Sequence, residues 1–339
     1  MKANTVSNIR KLGFQWDPPN PFLFCVHHND EFPAGTAELG VSQKDLAGHR
    51  LGMDFELRDG FRMYHGNPVP GFPVHPHRGF ETITVVEKGF IDHSDSHGGR
   101  GRYGDGDVQW MTAGSGIQHA EMFPLLNSVK KNKVELFQIW LNLPKAKKFS
   151  PPAYKMLWNE DIPVYEEKDA VGRLAKIKLI SGHYKKHFVK CPTPDSWAAD
   201  ENNEVLILLT DLYPNAEWEL PATSKGLNRT VYFFTGSNIE INGSTLEEYS
   251  AADLKSDSAI IFRNGNTKSR MLILQAKPID EQVVQHGPFV MNTMKEIEEA
   301  FADYRKTEFG GWPWDRSDPV HGKASARFAE FPDGTREAR

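Results

Sequence analysis

Two short strings, His75-Pro76-His77 and His119-Ala120-Glu121, constrain this chain more than any other feature in it. Side chains two apart on a β-strand point to the same face. A His-x-His pair and a His-x-Glu pair on neighbouring strands therefore aim four metal-binding groups into one space. The sequence between them reads as further strands. Thr82-Ile83-Thr84-Val85-Val86 is β-branched throughout, and Asp107-Val108-Gln109-Trp110-Met111 is a second candidate. Glycines at 89, 98, 99, 101, 104 and 106 separate these runs as turns do. The pattern is that of a small antiparallel barrel with a mononuclear metal site inside it.

Glu121 shares a strand face with His119, which favours it as the acid of the set. Glu81 competes for that role, because His75-x-His77-x3-Glu81 is also a barrel metal spacing; its other reading is a group that supports the ligands from behind. Imidazoles with a carboxylate suit Fe, Mn, Ni, Cu or Zn. Three histidines and one glutamate leave room on the ion for a substrate and O2, whereas a structural zinc site is closed and cysteine-rich. Fe(II) is the expected ion, with Mn, Ni, Cu and Zn compatible with the same ligands. A nearby carboxylate, Glu121 or Glu81, is the expected acceptor of a substrate hydroxyl proton.

The remaining histidines carry blander readings. His93 and His97 fall in a Ser-, Asp- and Gly-rich stretch from Asp92 to Gly101, which reads as a solvent-exposed loop. His27, His28, His65, His183, His187, His286 and His321 show no ligand spacing and are read as structural. Arg78 follows the ligands and could neutralise an anionic substrate or brace Glu81 or Glu121. Trp110, Met111, Phe80 and Phe123 read as core, with a pocket wall against an aromatic ligand as the alternative. There is no phosphate-binding loop, dinucleotide glycine fingerprint or Ser-His-Asp set.

A length of 339 residues favours two domains. The net charge of -5 argues against a bare nucleic-acid binder, which would normally show a basic face. Two cysteines, Cys25 and Cys191, make no disulfide framework, so a reducing, cytoplasmic compartment is expected. The Met1-Lys2-Ala3-Asn4 start leads into no apolar signal core, and no run of about 18 apolar residues suggests a membrane span.

Strand candidates precede the ligand motifs at Phe22 to His28 and, by alternation, at Arg50 to Leu57. Val134 to Leu141 alternates as a half-buried strand, and the lysines from Lys145 to Lys148 read as the solvated rim of a linker. The second half repeats the strand-rich pattern, with a hairpin signal at Asn242-Gly243. Laying Thr82 to Gly89 on Thr230 to Gly236, and Trp110 to Gly114 on Ile261 to Gly265, puts Ala222 and Ser224 opposite His75 and His77. It puts Arg270 and Leu272 opposite His119 and Glu121, so this half reads as a duplicated barrel without the metal. Thr293 caps a predicted helix with Glu296 three residues on, and Ile297, Ala300, Phe301 and Tyr304 share one stripe. The tail past Glu308 is expected to wrap the surface or fray. The boundaries drawn are 1–148 for the metal barrel, 149–290 for the metal-free barrel and 291–339 for helix and tail.

The strings His75-Pro-His-Arg-Gly-Phe-Glu-Thr82, Gly106-Asp-Val-Gln-Trp-Met-Thr-Ala-Gly114, Gly116-Ile-Gln-His-Ala-Glu121 and Val284-Gln-His-Gly-Pro-Phe-Val-Met-Asn-Thr293 together resemble the pirin family, over about residues 10 to 305. The resemblance implies an all-β bicupin: two cupin-type β-barrels in tandem with a short C-terminal helix and tail. It implies iron held by the residues matching His75, His77, His119 and Glu121. Members resemble either quercetin 2,3-dioxygenases, which open a flavonol ring with O2, or iron- and redox-dependent transcription cofactors that act through a protein partner without reading DNA. In the cofactor reading, the Ile91 to Tyr103 stretch would be the partner loop. The dioxygenase reading is preferred, since an open-sited metal beside aromatic walls is more than bracing requires.

Overall fold

The computed structural model describes residues 5–191 and 193–339; the Met1-Lys2-Ala3-Asn4 start lies outside them. Regular structure is almost all β, with one α-helix, Met294–Thr307, among the described residues. Among the described residues no helix is long and apolar enough to cross a membrane.

The chain forms two compact units. Val26–Asn159 and Glu281–Arg339 make one; the described residues up to Cys25 join Glu160–Asp280 in the other. The segments 1–148, 149–290 and 291–339 follow chain order, whereas these units follow strand pairing. Val6–Lys11 pairs antiparallel with Ser250–Leu254, and Phe328–Glu330 pairs with Arg100–Gly104. Each end of the chain thus completes a sheet built from distant sequence.

The unit that carries His75, His77 and His119 places two antiparallel sheets against each other. One runs in the order Ala153–Leu157, Val108–Thr112, Phe80–Lys88, Asn132–Asn142, Phe22–Phe32. The other runs Arg336–Ala338, Phe328–Glu330, Arg100–Gly104, Phe90–Asp95, Ile117–Met122, Gly71–His77. Thr84 donates its hydroxyl to Glu121 across the gap, so the row Thr82, Thr84 faces the interior. Ile83 and Val85, both fully buried, face the other way.

In the second unit the Asn228–Thr235 strand is flanked by Ser250–Leu254 and Ser269–Ala276. Facing it, Glu217–Leu220, Ile260–Asn264, Asn238–Ile241 and Ser244–Glu247 form a four-stranded sheet. This is the connectivity of the metal barrel repeated, and it makes Ile260–Asn264 the counterpart of Ile117–Met122. The alignment above is therefore one strand out: Arg270 and Leu272 lie on the next strand. Where the other barrel pairs His75 with His119 and His77 with Ile117, Trp218 pairs with Phe262 and Leu220 with Ile260. All four join Val231, Phe233, Met271 and Ile273 in one core. Each such buried side chain contributes about 1.5–3 kcal/mol, so this interior is filled for stability. The expected Asn242-Gly243 turn is present, with φ of 47° and 90°.

Two sequence expectations change here. Arg50 to Leu57 forms no strand; it is held by the bridges Asp54–Tyr64 and Arg58–Phe61. Lys148 is fully buried rather than on a solvated rim. Its ammonium donates to Gly79 O, Asn142 Oδ1 and Val290 O at 2.9, 2.8 and 3.0 Å, tying three segments of the metal barrel together. The helix starts on the expected Thr293–Glu296 capping box and buries Ile297 and Ala300.

The tail does not fray. Gln118 Nε2 donates to Glu308 O and Gly311 O, Trp314 Nε1 to Asp95 O, and Val74 N to Ser317 O. Gln118 alternates with the inward-facing His119, so the tail crosses the outer face of the metal-bearing sheet. It then adds the two strands Phe328–Glu330 and Arg336–Ala338 to that sheet's edge.

Candidate metal centre

Gly71–His77 is an edge strand, which is where a proline such as Pro76 is tolerated. It pairs with Ile117–Met122, with a register shift between Phe72 and His75. His75 comes directly opposite His119. Just after His77 the chain turns at Gly79, with φ +86°, where a Cβ would sit 2.0 Å from Val290 O. Only glycine fits that corner.

The strand geometry brings the three histidines together. Their ligand atoms lie within 4.8 Å of one another. Ring centroids are 4.7 Å apart for His75 and His77, 4.5 Å for His75 and His119, and 4.9 Å for His77 and His119. His75 Nδ1–H donates to Pro73 O at 2.8 Å and His77 Nδ1–H to Pro288 O at 3.4 Å. Both bonds fix the tautomer that leaves a lone pair on Nε2. Burial holds His75 down to about 4, and burial with the neighbouring imidazoles holds His77 and His119 well below the usual histidine range. All three are therefore neutral imidazoles near neutral pH.

His119 supplies the test of fit. Neither of its ring nitrogens has a hydrogen-bond partner, although the side chain is fully buried. An orphaned buried polar group costs about 1–3 kcal/mol, a cost that a bound cation at Nε2 removes. Glu121 adjoins the set, with Oε2 3.7 Å from His119 Nε2. Thr84 Oγ1 donates to Glu121 Oε1 at 3.0 Å, and Gln138 Nε2 to Oε2 at 2.8 Å. Burial pushes the Glu121 carboxyl up, against the pull of His93 and these hydrogen bonds. Three converging neutral imidazoles with a buried acid at their side suit a divalent transition-metal ion.

The structure separates Glu81 from Glu121. Glu81 is one residue out of phase with Thr82 and Thr84, so it lies on the opposite face of its strand. Its Oε1 accepts from Trp110 Nε1 at 3.0 Å and Thr112 Oγ1 at 2.7 Å. Arg78 bonds neither glutamate. It donates to Ser115 O and Asp303 and lies over the Phe309 ring, clamping the helix.

His93 is buried within the Phe90–Asp95 strand rather than on a loop, while His97 is exposed as expected. His93 pairs in register with Glu121 and bonds Asp95 through Nε2 at 3.1 Å. The Ile91 to Tyr103 stretch is a paired hairpin with a tail strand on its edge and an exposed turn at His97 and Gly98.

Spacing did not reveal Gln138, Trp140 and Thr84. Trp140 stands 5.3 Å from the His77 ring and 4.3 Å from Phe80, forming an aromatic wall. The signal was a glutamine in the otherwise apolar row Val134, Leu136, Gln138, Trp140. Thr82 Oγ1 and both amide atoms of Gln109, facing the same interior, are buried without partners.

Residues 21–141 match the Pirin family profile, and residues 207–310 match that of the Pirin C-terminal cupin domain. The chain belongs to the pirin family. Pirin from Homo sapiens is 34% identical to this pirin-family chain over 259 residues, covering 74% of it and 81% of the human protein. A Pseudomonas aeruginosa protein carrying the provisional name quercetin 2,3-dioxygenase is 34% identical over 239 residues, 70% of this chain and 79% of its own length. The crystal structure of quercetin 2,3-dioxygenase from Acinetobacter baumannii superposes with a TM-score of 0.71 at 24% identity, covering 91% of this chain and 99% of that one. That likeness shows the bicupin fold. The tail strands of this pirin-family chain lie beyond both matched segments.

Proposed function

We propose that this pirin-family chain is a non-haem dioxygenase that opens the ring of quercetin or a similar flavonol with O2. His75, His77, His119 and Glu121 would hold one metal ion, Fe(II) in this reading, with Mn, Ni, Cu and Zn also compatible with the donors. When bound, the ion supplies Lewis-acid and redox chemistry to the polyphenol and O2. The chain's own residues orient the substrate and move its proton. Glu121, raised by burial, takes the proton of the substrate hydroxyl more readily than an exposed carboxylate would. Thr84 and Gln138 hold that carboxylate in place. Trp140 and Phe80 wall the site with aromatic surface and limit water. Glu81, committed to Trp110 and Thr112, takes no part in the proton transfer.

The observation that carries this reading is the convergence of three neutral histidines beside a buried acid, His119 having no protein partner. The relative named above for quercetin dioxygenation supports the substrate class. The test is anaerobic loading with Fe(II), followed by O2 uptake and product analysis with quercetin. Oxygen consumption with ring-opened product is expected. No turnover of several polyphenols by protein holding one iron per chain would overturn the reading.

A further inference from the structure

We propose that the segment from His49 to His65 is the outer wall of the substrate site. It would bind the pendant ring of a hydroxylated polycyclic aromatic whose other end lies at the three histidines. This rests on the dioxygenase reading and extends it to named specificity residues.

The segment has the alternation of a strand but is held as an irregular excursion by its polar members. Asp54 Oδ2 is 2.6 Å from His49 Nδ1 and accepts from Met63 N at 2.9 Å. With Asp54 turned inward, the apolar neighbours turn outward: Leu51, Met53, Phe55 and Leu57 are 40%, 69%, 36% and 57% exposed. Four large apolar side chains exposed within seven residues are an unusual concentration of the kind that marks a binding surface.

The occupant is indicated by what the patch adjoins. The Phe55 ring lies 5.1 Å from His65, His65 lies 5.9 Å from Phe72, and Phe72 lies 6.4 Å from His75. A row of rings thus runs from the exposed segment to a metal-binding histidine within one compact unit. Edge-on aromatic neighbours at these distances suit a further planar ring. A molecule held at the histidines and longer than one ring lies along this row and covers Phe55.

His65 adds a polar requirement. Its Nδ1–H donates to Gly52 O at 2.7 Å, which leaves Nε2 with no hydrogen bond of its own. Nε2 can accept from a phenolic hydroxyl. The wall therefore favours a flavonol hydroxylated on its pendant ring over one without those hydroxyls, and both over a one-ring catechol.

The test measures binding to full-length, metal-loaded protein under argon, by fluorescence quenching. The probes are quercetin, the flavonol lacking pendant-ring hydroxyls, and catechol. Phe55→Ala should weaken both flavonols about tenfold, with catechol within about twofold and metal content unchanged. His65→Leu should abolish the preference for quercetin over the unhydroxylated flavonol. Met53→Ser, altering a mostly exposed side chain, should weaken flavonol binding about threefold without a change in folding. The proposal fails if the variants bind flavonols as the wild type does, or if catechol weakens in parallel. If the wild type binds catechol but no flavonol, the wall is wrong and the metal chemistry survives. If it binds none of the three, the dioxygenase reading falls as well.

Discussion

Replacing Arg102 with methionine tests how firmly the tail is tied to the metal-bearing sheet. Arg102 is fully buried. Its Nε and Nη2 each donate to an Asp92 carboxylate oxygen at 2.6 Å. The same guanidinium donates to Gly322 O at 2.9 Å and to Ala324 O in the tail. Methionine keeps much of the length, so little cavity forms. Asp92 would be left as a buried carboxylate with the His321 N–H as its remaining donor among these groups. Removing one partner of a buried ion pair costs about 3–5 kcal/mol. The tail carbonyls can recover their loss by lifting into water, so no separate cost is added. At about 2–4 °C per kcal/mol for a domain of this size, the unfolding transition of the metal barrel should fall by roughly 6–20 °C in calorimetry. Limited trypsin digestion should then cut at Lys323 much faster, because lifting the tail returns Asp92 to water. The double variant Asp92→Asn/Arg102→Met carries no stranded charge and should recover most of the loss. A single variant within about 1 kcal/mol of wild type, or a double variant no better than the single, would refute the argument.

Three further outcomes are expected. Glu121→Gln should fold normally yet lower ring-opening turnover about 100-fold or more, and an unchanged rate would remove Glu121 as the proton acceptor. The wild type should bind iron and gain thermal stability from it, and His119→Ala should lose both in metal analysis and melting; full metal content in the variant would mean the ion sits elsewhere. Lys148→Met strands Gly79 O, Asn142 Oδ1 and Val290 O, and should cost roughly 3 kcal/mol in denaturant unfolding. A shift of less than about 0.5 kcal/mol would show that water replaces the ammonium.

The ligand triad was legible because strand parity is local: His75, His77 and His119 needed only a period of two and neighbouring strands. The same parity, counted from Thr84, sets Glu81 apart from Glu121, but which face looked inward was visible only once Thr84 met Glu121. His93 was hidden by its neighbours. Asp92, Ser94 and Asp95 read as loop, yet Asp92 is buried by Arg102 and Asp95 by the His97 and Gly99 amides it accepts from. What fills the second barrel was not legible. Trp218 and Phe262 look like ordinary core until cross-strand register places them at the ligand positions. The tail was illegible for the same reason: three-residue strands such as Phe328–Glu330 carry no period and exist through the edge they join.

The pairing of Val6–Lys11 with Ser250–Leu254 has a consequence for biosynthesis. The arm leaves the ribosome well before its partner strand and waits unpaired until that strand is made. Until the arm docks, the finished partner strand offers a bare edge to any other copy's arm. At high expression, two nascent molecules could trade these arms and close each other's barrels, giving an interlocked dimer from a protein that needs no new contact to form it.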